Sequence, residues 1–225
     1  MIVHTPTPHL ARQIRLAGLL YLVIIIVGLG AELGLRAPLI DLDDAVDTAA
    51  TILAAPAQFR LAIAADVGMA LCDAGLAILL YLIFRAASPG LALSAMVFRL
   101  IQTVLIAANL MVLQAAWLLF FGTHQLVGAN ALALVFLDLH GHGYDLGLVF
   151  FGVNSLIMGL LVWRSGLFAK VFGAGLAMAG CVYLIGSGLR FFAPEWSAAF
   201  APAYLLTILA ETAFCFRLFF QRSPA

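Results

Sequence analysis

Charged side chains are scarce in this sequence: Asp, Glu, Lys and Arg together make up 10% of its 225 residues. Soluble domains usually carry about 25% charged residues, so the composition excludes an ordinary soluble domain. The formal net charge is zero, which gives no indication of a basic surface for nucleic acid. Cysteine is also rare. The three cysteines, Cys72, Cys181 and Cys215, lack the spacing of a metal motif, so we interpret them as small buried apolar residues.

Apolar residues take the place of the missing charges. They form 65% of the chain, and the mean hydropathy is +1.13. A helix that spans a bilayer needs about 20 mostly apolar residues, and six stretches come close to or exceed this length: 16–35, 61–84, 89–121, 146–163, 171–189 and 203–218. The first is longer than the apolar part of a signal peptide, so we expect it to remain as a helix. The sequence therefore predicts an all-α, polytopic membrane protein, with six transmembrane helices in a single bundle that forms one domain over residues 1–225.

Two connections between the spans have helical patterns of their own. Residues 48–59 show apolar residues at helical spacing and follow a run of aspartates, which favours a helix start. Residues 128–139 have a similar pattern, and Gly141 and Gly143 then indicate a turn. We therefore expect two short extracytoplasmic helices in addition to the six spans.

Small residues recur at intervals of four in two neighbouring spans. The fifth span contains the pairs Gly173/Ala177 and Gly175/Ala179, and the fourth contains Ser155/Gly159. Small residues at this spacing let the backbones of two membrane helices approach closely. The pattern predicts tight packing in this part of the bundle.

Basic residues are unevenly distributed between the two ends of the spans. If the N-terminus is cytoplasmic, the inner side carries Arg12, Arg15, Arg85, Arg164, Lys170, Arg217 and Arg222. The outer side then carries only Arg36, Arg60 and Arg190. Because short cytoplasmic loops are enriched in Lys and Arg, we predict that both termini are cytoplasmic.

Several polar residues lie inside the apolar runs, where a charge costs at least about 2.5–3.5 kcal/mol. Asp73 lies 14 positions before the turn near residue 87, and Arg99 lies 12 positions after it. At about 1.5 Å per residue the two reach nearly the same depth, so they can form an ion pair. Similar counts place three further side chains at this depth, which gives a layer of candidates for ligand or proton binding: Asp73, Arg99, Gln102, Asn154 and Glu211.

This layer has one negative charge in excess if both of its acids are ionised. A carboxylate without a partner in an apolar medium takes up a proton or recruits a cation, which makes Glu211 the candidate protonatable group. The alternative is that an Asp73–Arg99 pair and a protonated Glu211 only hold helices together. A second alternative is that Arg99 extends along its helix to the inner interface.

A second group of polar residues lies near the outer surface: Glu32, Asp66, Asn109, His140, His142, Tyr144, Asp145 and Arg190. Within it, His140 and His142 with Asp145 could bind a divalent metal such as zinc, although the spacing is not a recognised zinc signature. The alternative is a polar turn that caps the fourth span. We find no nucleophile elbow, zincin motif, phosphate loop or dinucleotide fingerprint. No other catalytic motif and no other cofactor is therefore predicted.

Several stretches together resemble a known family. They are residues 52–61 (ILAAPAQFRL), Cys72-Asp73, Phe98-Arg99-Leu100, residues 143–152 (GYDLGLVFFG), Arg164-Ser165 and Tyr183-Leu184. In collinear order, from about Arg12 to Phe219, the chain resembles the small bacterial membrane proteins grouped as domain of unknown function 4386. The resemblance implies a six-helix, multi-pass protein of the bacterial cytoplasmic membrane and no particular reaction. Gln102 stands where the family often has an acid, and Asn154 where it often has histidine, which argues against acid–base or metal chemistry at these positions.

Three hypotheses for the function follow from these observations. The first is binding or transport of a small molecule or lipid in a polar pocket within the bundle, with Asp73 and Arg99 at its centre. The second is an intramembrane enzyme, metal-dependent in one version, that acts on a lipid-soluble substrate at the outer surface. Its chemistry would lie near Asp66, His140, His142 and Asp145. The third is a structural or assembly protein without a ligand. No pattern in the sequence identifies a substrate, a nucleic-acid partner or an oligomeric state.

Overall fold

The computed structural model describes residues 8–122 and 126–220. Over these residues the protein contains eight α-helices and no β-strand: α1 Pro8–Leu29, α2 Ala45–Ala54, α3 Pro56–Phe84, α4 Pro89–Phe121, α5 Ala129–Ser165, α6 Lys170–Phe192, α7 Ser197–Phe200 and α8 Tyr204–Phe219. A π-helical segment, Gly30–Arg36, and a 3-10 turn, Ala37–Leu39, continue α1. Arg222, which was counted among the inner basic residues, lies outside the described residues.

Six helical segments of the described residues are long and apolar enough to cross a membrane: Pro8–Leu39, Pro56–Phe84, Pro89–Phe121, Ala129–Ser165, Lys170–Phe192 and Pro194–Phe219. The predicted all-α polytopic bundle is thus confirmed. The third span has the predicted bounds. It starts at Pro89 because the first residue of a helix has no partner for a backbone N–H, so proline fits there without losing a hydrogen bond. Most of the other spans extend beyond their predicted ends, since polar residues at both ends continue the same helices.

The largest difference from the prediction is in α5. Residues 128–139 are helical, but they are continuous with the fourth span and do not form a separate helix. Gly141 and Gly143 were expected to form a turn, yet positive φ angles among the described residues occur only at Gly128 and Gly166. A Cβ at Gly141 would lie 2.7 Å from Nη2 of Arg190, and one at Gly143 would overlap the carboxamide of Asn109. These glycines therefore allow close approach of neighbouring side chains to a regular helix.

The other short helix, α2, forms as predicted but ends earlier. Asp44 caps it, because its Oδ1 accepts hydrogen bonds from the backbone N–H groups of Val46 and Asp47, both at 2.9 Å. The helix stops at Ala54 because Pro56 cannot continue its hydrogen bonding and instead begins α3. A surface helix thus leads directly into the second span.

Two apolar clusters stabilise the bundle at different levels. One lies among α1, α3, α4, α5, α6 and α8 and includes Leu76, Phe84, Leu161 and Phe214. The other lies where α2 meets the start of α3, the end of α4 and the start of α5, and it includes Ile52, Phe59, Leu113, Trp117 and Leu137. α4 has 33 residues, about 50 Å at 1.5 Å per residue, which exceeds the roughly 30 Å hydrocarbon core of a bilayer. The second cluster therefore forms a cap at one end of the spans.

The close packing predicted from small residues is present between α5 and α6. A Cβ at Gly159 would lie 2.6 Å from the backbone oxygen of Gly173, and a Cβ at Gly173 would lie 2.6 Å from the backbone oxygen of Gly159. Gly180 makes a similar approach to Gly152. The two backbones touch directly, as small-residue pairs in membrane helices allow.

The three cysteines differ in their surroundings. Cys215 is buried and Cys72 is partly buried, but Cys181 is exposed on the outer face of α6. The prediction that all three are buried is therefore wrong for Cys181. In a membrane protein the lipid-facing side of a helix is as apolar as the interior, so hydropathy does not show which residues are buried.

Candidate functional site

A cavity of about 610 Å³ lies between the helices. Each of the six spans contributes to its wall, with Tyr21, Asp73, Arg99, Phe151, Tyr183 and Glu211 as one example from each. Volumes of about 300–1,000 Å³ are typical of small-molecule sites. The candidate site is therefore a shared interior space that no single helix could form.

Asp73 and Arg99 meet in this cavity, as their matched depth predicted. Arg99 donates from Nε at 2.8 Å and from Nη2 at 2.5 Å to Oδ1 of Asp73. Thr103, one helical turn beyond Arg99, donates to the other carboxylate oxygen at 2.5 Å. Two helices, α3 and α4, are thus joined by a hydrogen-bonded ion pair.

The surroundings of Arg99 exclude the alternative that it extends to the inner interface. The residue is only 2% exposed. Its guanidinium carbon lies 5.3 Å from the ring centre of Tyr21 and 5.1 Å from that of Phe151. Aromatic faces attract guanidinium groups at these distances, so the side chain is held inside the bundle on two sides.

Glu211 lies in the same part of the cavity and joins its own helix, α8, to two others. Tyr21 donates its hydroxyl to Oε2 at 3.0 Å, and Tyr183 donates its hydroxyl to Oε1 at 2.5 Å. The carboxylate of α8 is thereby bonded to α1 and α6. We call Asp73, Arg99, Thr103, Tyr21, Tyr183 and Glu211 the inner cluster.

The remaining two residues of the predicted layer have different positions. Gln102 is buried and lines the cavity, and its Oε1 has no hydrogen-bond partner. Asn154 is also buried, but it lines a separate small pocket together with Arg99 and Tyr81. Asn154 therefore lies near Arg99, but its face of α5 does not line the cavity. A count of residues along a helix determines depth and does not decide which neighbours that face contacts.

A second charged group lies further along the cavity and includes Arg36, which is 3% exposed. Arg36 donates to Oε2 of Glu32 from Nε at 3.0 Å and from Nη2 at 2.7 Å. Its Nη1 also contacts Oδ2 of Asp66. The π-helical turn Gly30–Arg36 presents both Glu32 and Arg36 to the cavity, and π-helical turns occur frequently at functional sites.

Arg190 forms the other ion-pair centre at this level. Its Nη2 lies 3.4 Å from Oδ1 of Asp138, and its Nε lies 3.3 Å from Oδ2 of Asp145. Tyr144, on the same turn of α5, also lines the cavity. We call Glu32, Arg36, Asp66, Asp138, Asp145 and Arg190 the outer cluster.

The predicted metal ligands are not brought together. The backbone carbonyl of His140 accepts a hydrogen bond from Nδ2 of Asn109 at 2.7 Å, whereas Nδ1 of His142 lies 3.1 Å from the carbonyl of Asp138. Within residues 8–122 and 126–220, no group of three His, Cys, Asp or Glu is placed to bind a metal ion. The reason is the continuous helix, in which residues two apart point to different faces.

Sequence reasoning missed several cavity residues. They are Tyr21, Thr103, Asp138 and Tyr183, together with Arg36, which was assigned only to the outer surface. Arg36 had a signal, since Glu32 precedes it by four residues and such a pair lies on one helix face. Tyr21 and Tyr183 gave no such signal in the sequence, because 190 and 28 positions separate them from Glu211.

Comparison with known proteins places this chain in a family. The family model described as Domain of unknown function (DUF4386) matches residues 16–221. The chain belongs to the DUF4386 family. The match includes every residue of the inner and outer clusters, so both lie in the part of the chain that defines DUF4386.

Among curated proteins, this DUF4386 chain is 26% identical over 119 residues to an uncharacterized protein of Archaeoglobus fulgidus. The alignment covers 53% of this chain and 60% of that protein. The chain therefore spans about 60% of the length of the curated relative that it matches. No solved structure matches the chain.

Proposed function

We propose that this protein binds a small molecule or lipid in the cavity between its helices and moves it within or across the membrane. The observation that carries the proposal is the cavity of about 610 Å³ whose wall includes side chains from all six spans. The cavity wall is mainly apolar, with charged groups at two levels, and this combination suits a ligand with an apolar body and a polar group.

The cavity also favours this proposal over a purely structural role for the charges. Charges that only hold helices together need no accessible space beside them. Asp73 and Arg99 bind one another, yet together with Glu211 they line the cavity. A ligand in the cavity would therefore reach these three polar groups.

The two clusters suggest how a ligand would move. Asp66 and Asp73 are seven residues apart on α3, which corresponds to about 10 Å along the helix. A ligand would thus pass from the outer to the inner cluster within one cavity. In this proposal Asp73 and Arg99 are the central pair, and Glu211 is the group that gains and loses a proton.

Filling the cavity should remove the ligand. Ala70 lines the cavity on α3 and is 8% exposed, so Ala70→Leu places three additional carbon atoms there. We expect a co-purifying molecule in the unmodified protein, detected by native mass spectrometry, and at least a tenfold lower occupancy in Ala70→Leu. Leu148→Phe, which enlarges a cavity residue of α5, should lower the occupancy in the same way.

The matched control is Ala64→Leu, which makes the same change on the exposed face of α3. It should keep full occupancy. Equal occupancy in Ala64→Leu and both cavity variants would contradict the proposed binding site, and so would an unmodified protein that carries no molecule.

We also propose that the chain lies in the cytoplasmic membrane of a bacterium with both termini in the cytoplasm. The support is the excess of basic residues at one end of the spans, where Arg12, Arg85, Arg164 and Lys170 lie. A C-terminal green fluorescent protein should therefore fluoresce, and a C-terminal alkaline phosphatase should be inactive. The reverse result would place the C-terminus on the other side.

A further inference from the structure

Carboxylates outnumber arginines around the cavity. Its wall contains Glu32, Asp73, Asp138, Asp145 and Glu211 against Arg36, Arg99 and Arg190. Asp66, which contacts Arg36, is a sixth carboxylate of the same network. With all of these carboxylates ionised and the histidines neutral, the cavity has more negative than positive groups, and its potential attracts a cation.

The ion pairs show where the excess lies. Arg36 is shared by Glu32 and Asp66, and Arg190 is shared by Asp138 and Asp145. In the inner cluster, Arg99 binds Asp73. The hydrogen-bond partners of Glu211 in the described residues are instead the neutral hydroxyls of Tyr21 and Tyr183. Glu211 is thus the inner carboxylate that a cationic group of a ligand would approach.

Three aromatic side chains line the cavity near Glu211, of which Tyr183 contacts it. The ring centres of Phe151 and Tyr183 are 5.2 Å apart, and those of Tyr183 and Tyr204 are 6.0 Å apart. All three residues line the cavity. Aromatic faces attract ammonium groups, most strongly where water is excluded, so the rings act in the same direction as the carboxylate.

A buried hydrogen-bond acceptor beside the cavity has no partner. Gln102 lines the cavity, is 8% exposed, and its Oε1 has no hydrogen-bond partner. A buried acceptor without a partner costs about 1–3 kcal/mol. After a rotation of the side chain toward the cavity, a ligand with an N–H or O–H group would satisfy it, whereas a carboxylate or phosphate group would not.

We propose that the ligand is an organic ammonium with an apolar body, whose nitrogen lies beside Glu211. This inference rests on the binding function proposed above. Its apolar part would contact the aliphatic wall of the cavity, which includes Ile24, Ile25, Leu148 and Ile208. The mainly apolar wall favours such a molecule over an inorganic cation, which needs several oxygen ligands around it.

Three probes of the same shape test the charge preference: 3-phenylpropylammonium, 3-phenylpropionate and 3-phenyl-1-propanol. Each is titrated at pH 7 into the purified full-length protein in a non-ionic detergent, with calorimetry as the readout and empty micelles as the blank. We expect the ammonium to bind at least tenfold more tightly than the carboxylate and the alcohol. Ala70→Leu should weaken its binding, which locates the probe in the cavity.

Glu211→Gln removes the charge and keeps the size of the side chain. It should weaken binding of the ammonium at least tenfold and leave binding of the alcohol unchanged. The matched control is Glu195→Gln, an exposed glutamate outside the cavity, which should bind all three probes like the unmodified protein. If Glu211→Gln does not fold, the comparison of the three probes on the unmodified protein decides the inference alone.

The outcomes separate the inference from the proposed function. Equal binding of ammonium and alcohol, or tighter binding of the carboxylate, would overturn the ammonium class and leave cavity binding intact. Failure of all three probes would also overturn it, whereas the proposed function is decided by the co-purified molecule and the Ala70→Leu variant.

Discussion

Asp73→Asn alone is expected to lower the free energy of unfolding by about 3–5 kcal/mol, because it leaves a buried guanidinium without its counter-charge. Two nitrogens of Arg99 bind one oxygen of Asp73. Arg99 is 2% exposed, and its guanidinium lies against the rings of Tyr21 and Phe151 inside the bundle. Thermal unfolding of the purified protein in detergent, together with unfolding in sodium dodecyl sulfate, measures the loss.

The double variant Asp73→Asn with Arg99→Gln should be more stable than Asp73→Asn, because two neutral side chains replace an unpaired charge. The control is Asp43→Asn, at an exposed position in the connection before α2, which should stay within about 0.5 kcal/mol of the unmodified protein. A double variant less stable than both Asp73→Asn and Arg99→Gln would show that the two side chains stabilise the fold by contacts other than charge neutralisation. An Asp73→Asn variant as stable as Asp43→Asn would contradict the buried ion pair.

The second large effect is expected at the contact between α5 and α6. Gly159→Ala should lower stability by about 3 kcal/mol, at the upper end of the usual cost of overpacking. The new Cβ would lie 2.6 Å from the backbone oxygen of Gly173 and 2.9 Å from the backbone nitrogen of Ala177. Backbone atoms cannot change rotamer, so the two helices would have to separate. The midpoint of unfolding in sodium dodecyl sulfate gives the measurement.

Gly188→Ala is the matched control because it makes the same substitution on α6. No atom lies within 4 Å of a Cβ built at Gly188. Alanine also has the higher helix propensity, so this variant should be as stable as the unmodified protein or slightly more stable. Equal stability of Gly159→Ala and Gly188→Ala would show that α5 and α6 are not in backbone contact.

Contacts that depend on depth could be predicted from the sequence. The Asp73–Arg99 pair follows from the constant rise of a helix and the short connection between α3 and α4, which allows little variation in register. The Gly159 contact was predicted from a different local signal, the small residues four positions apart in α5 and α6. Both signals lie within one helix or one pair of helices joined by a short turn.

Contacts that depend on the arrangement of distant helices could not be predicted. The bonds from Tyr21 and Tyr183 to Glu211 join α1, α6 and α8, and no sequence spacing relates these helices. Gly141 and Gly143 were misinterpreted for the same reason. Each lacks a side chain where Arg190 or Asn109, both on other helices, comes close to α5. In a sequence, such glycines usually indicate a turn.

By itself, the sequence determined that the chain has six apolar helices, where they lie, and which charges are buried at equal depth. These properties depend on hydropathy and on the fixed rise per residue, and both are local. Only the tertiary structure decided which helix faces meet and that the charged residues form two clusters. It also decided that both clusters line one cavity. The reason is that the rotation and neighbours of each helix depend on side-chain packing among all six, which no single segment encodes.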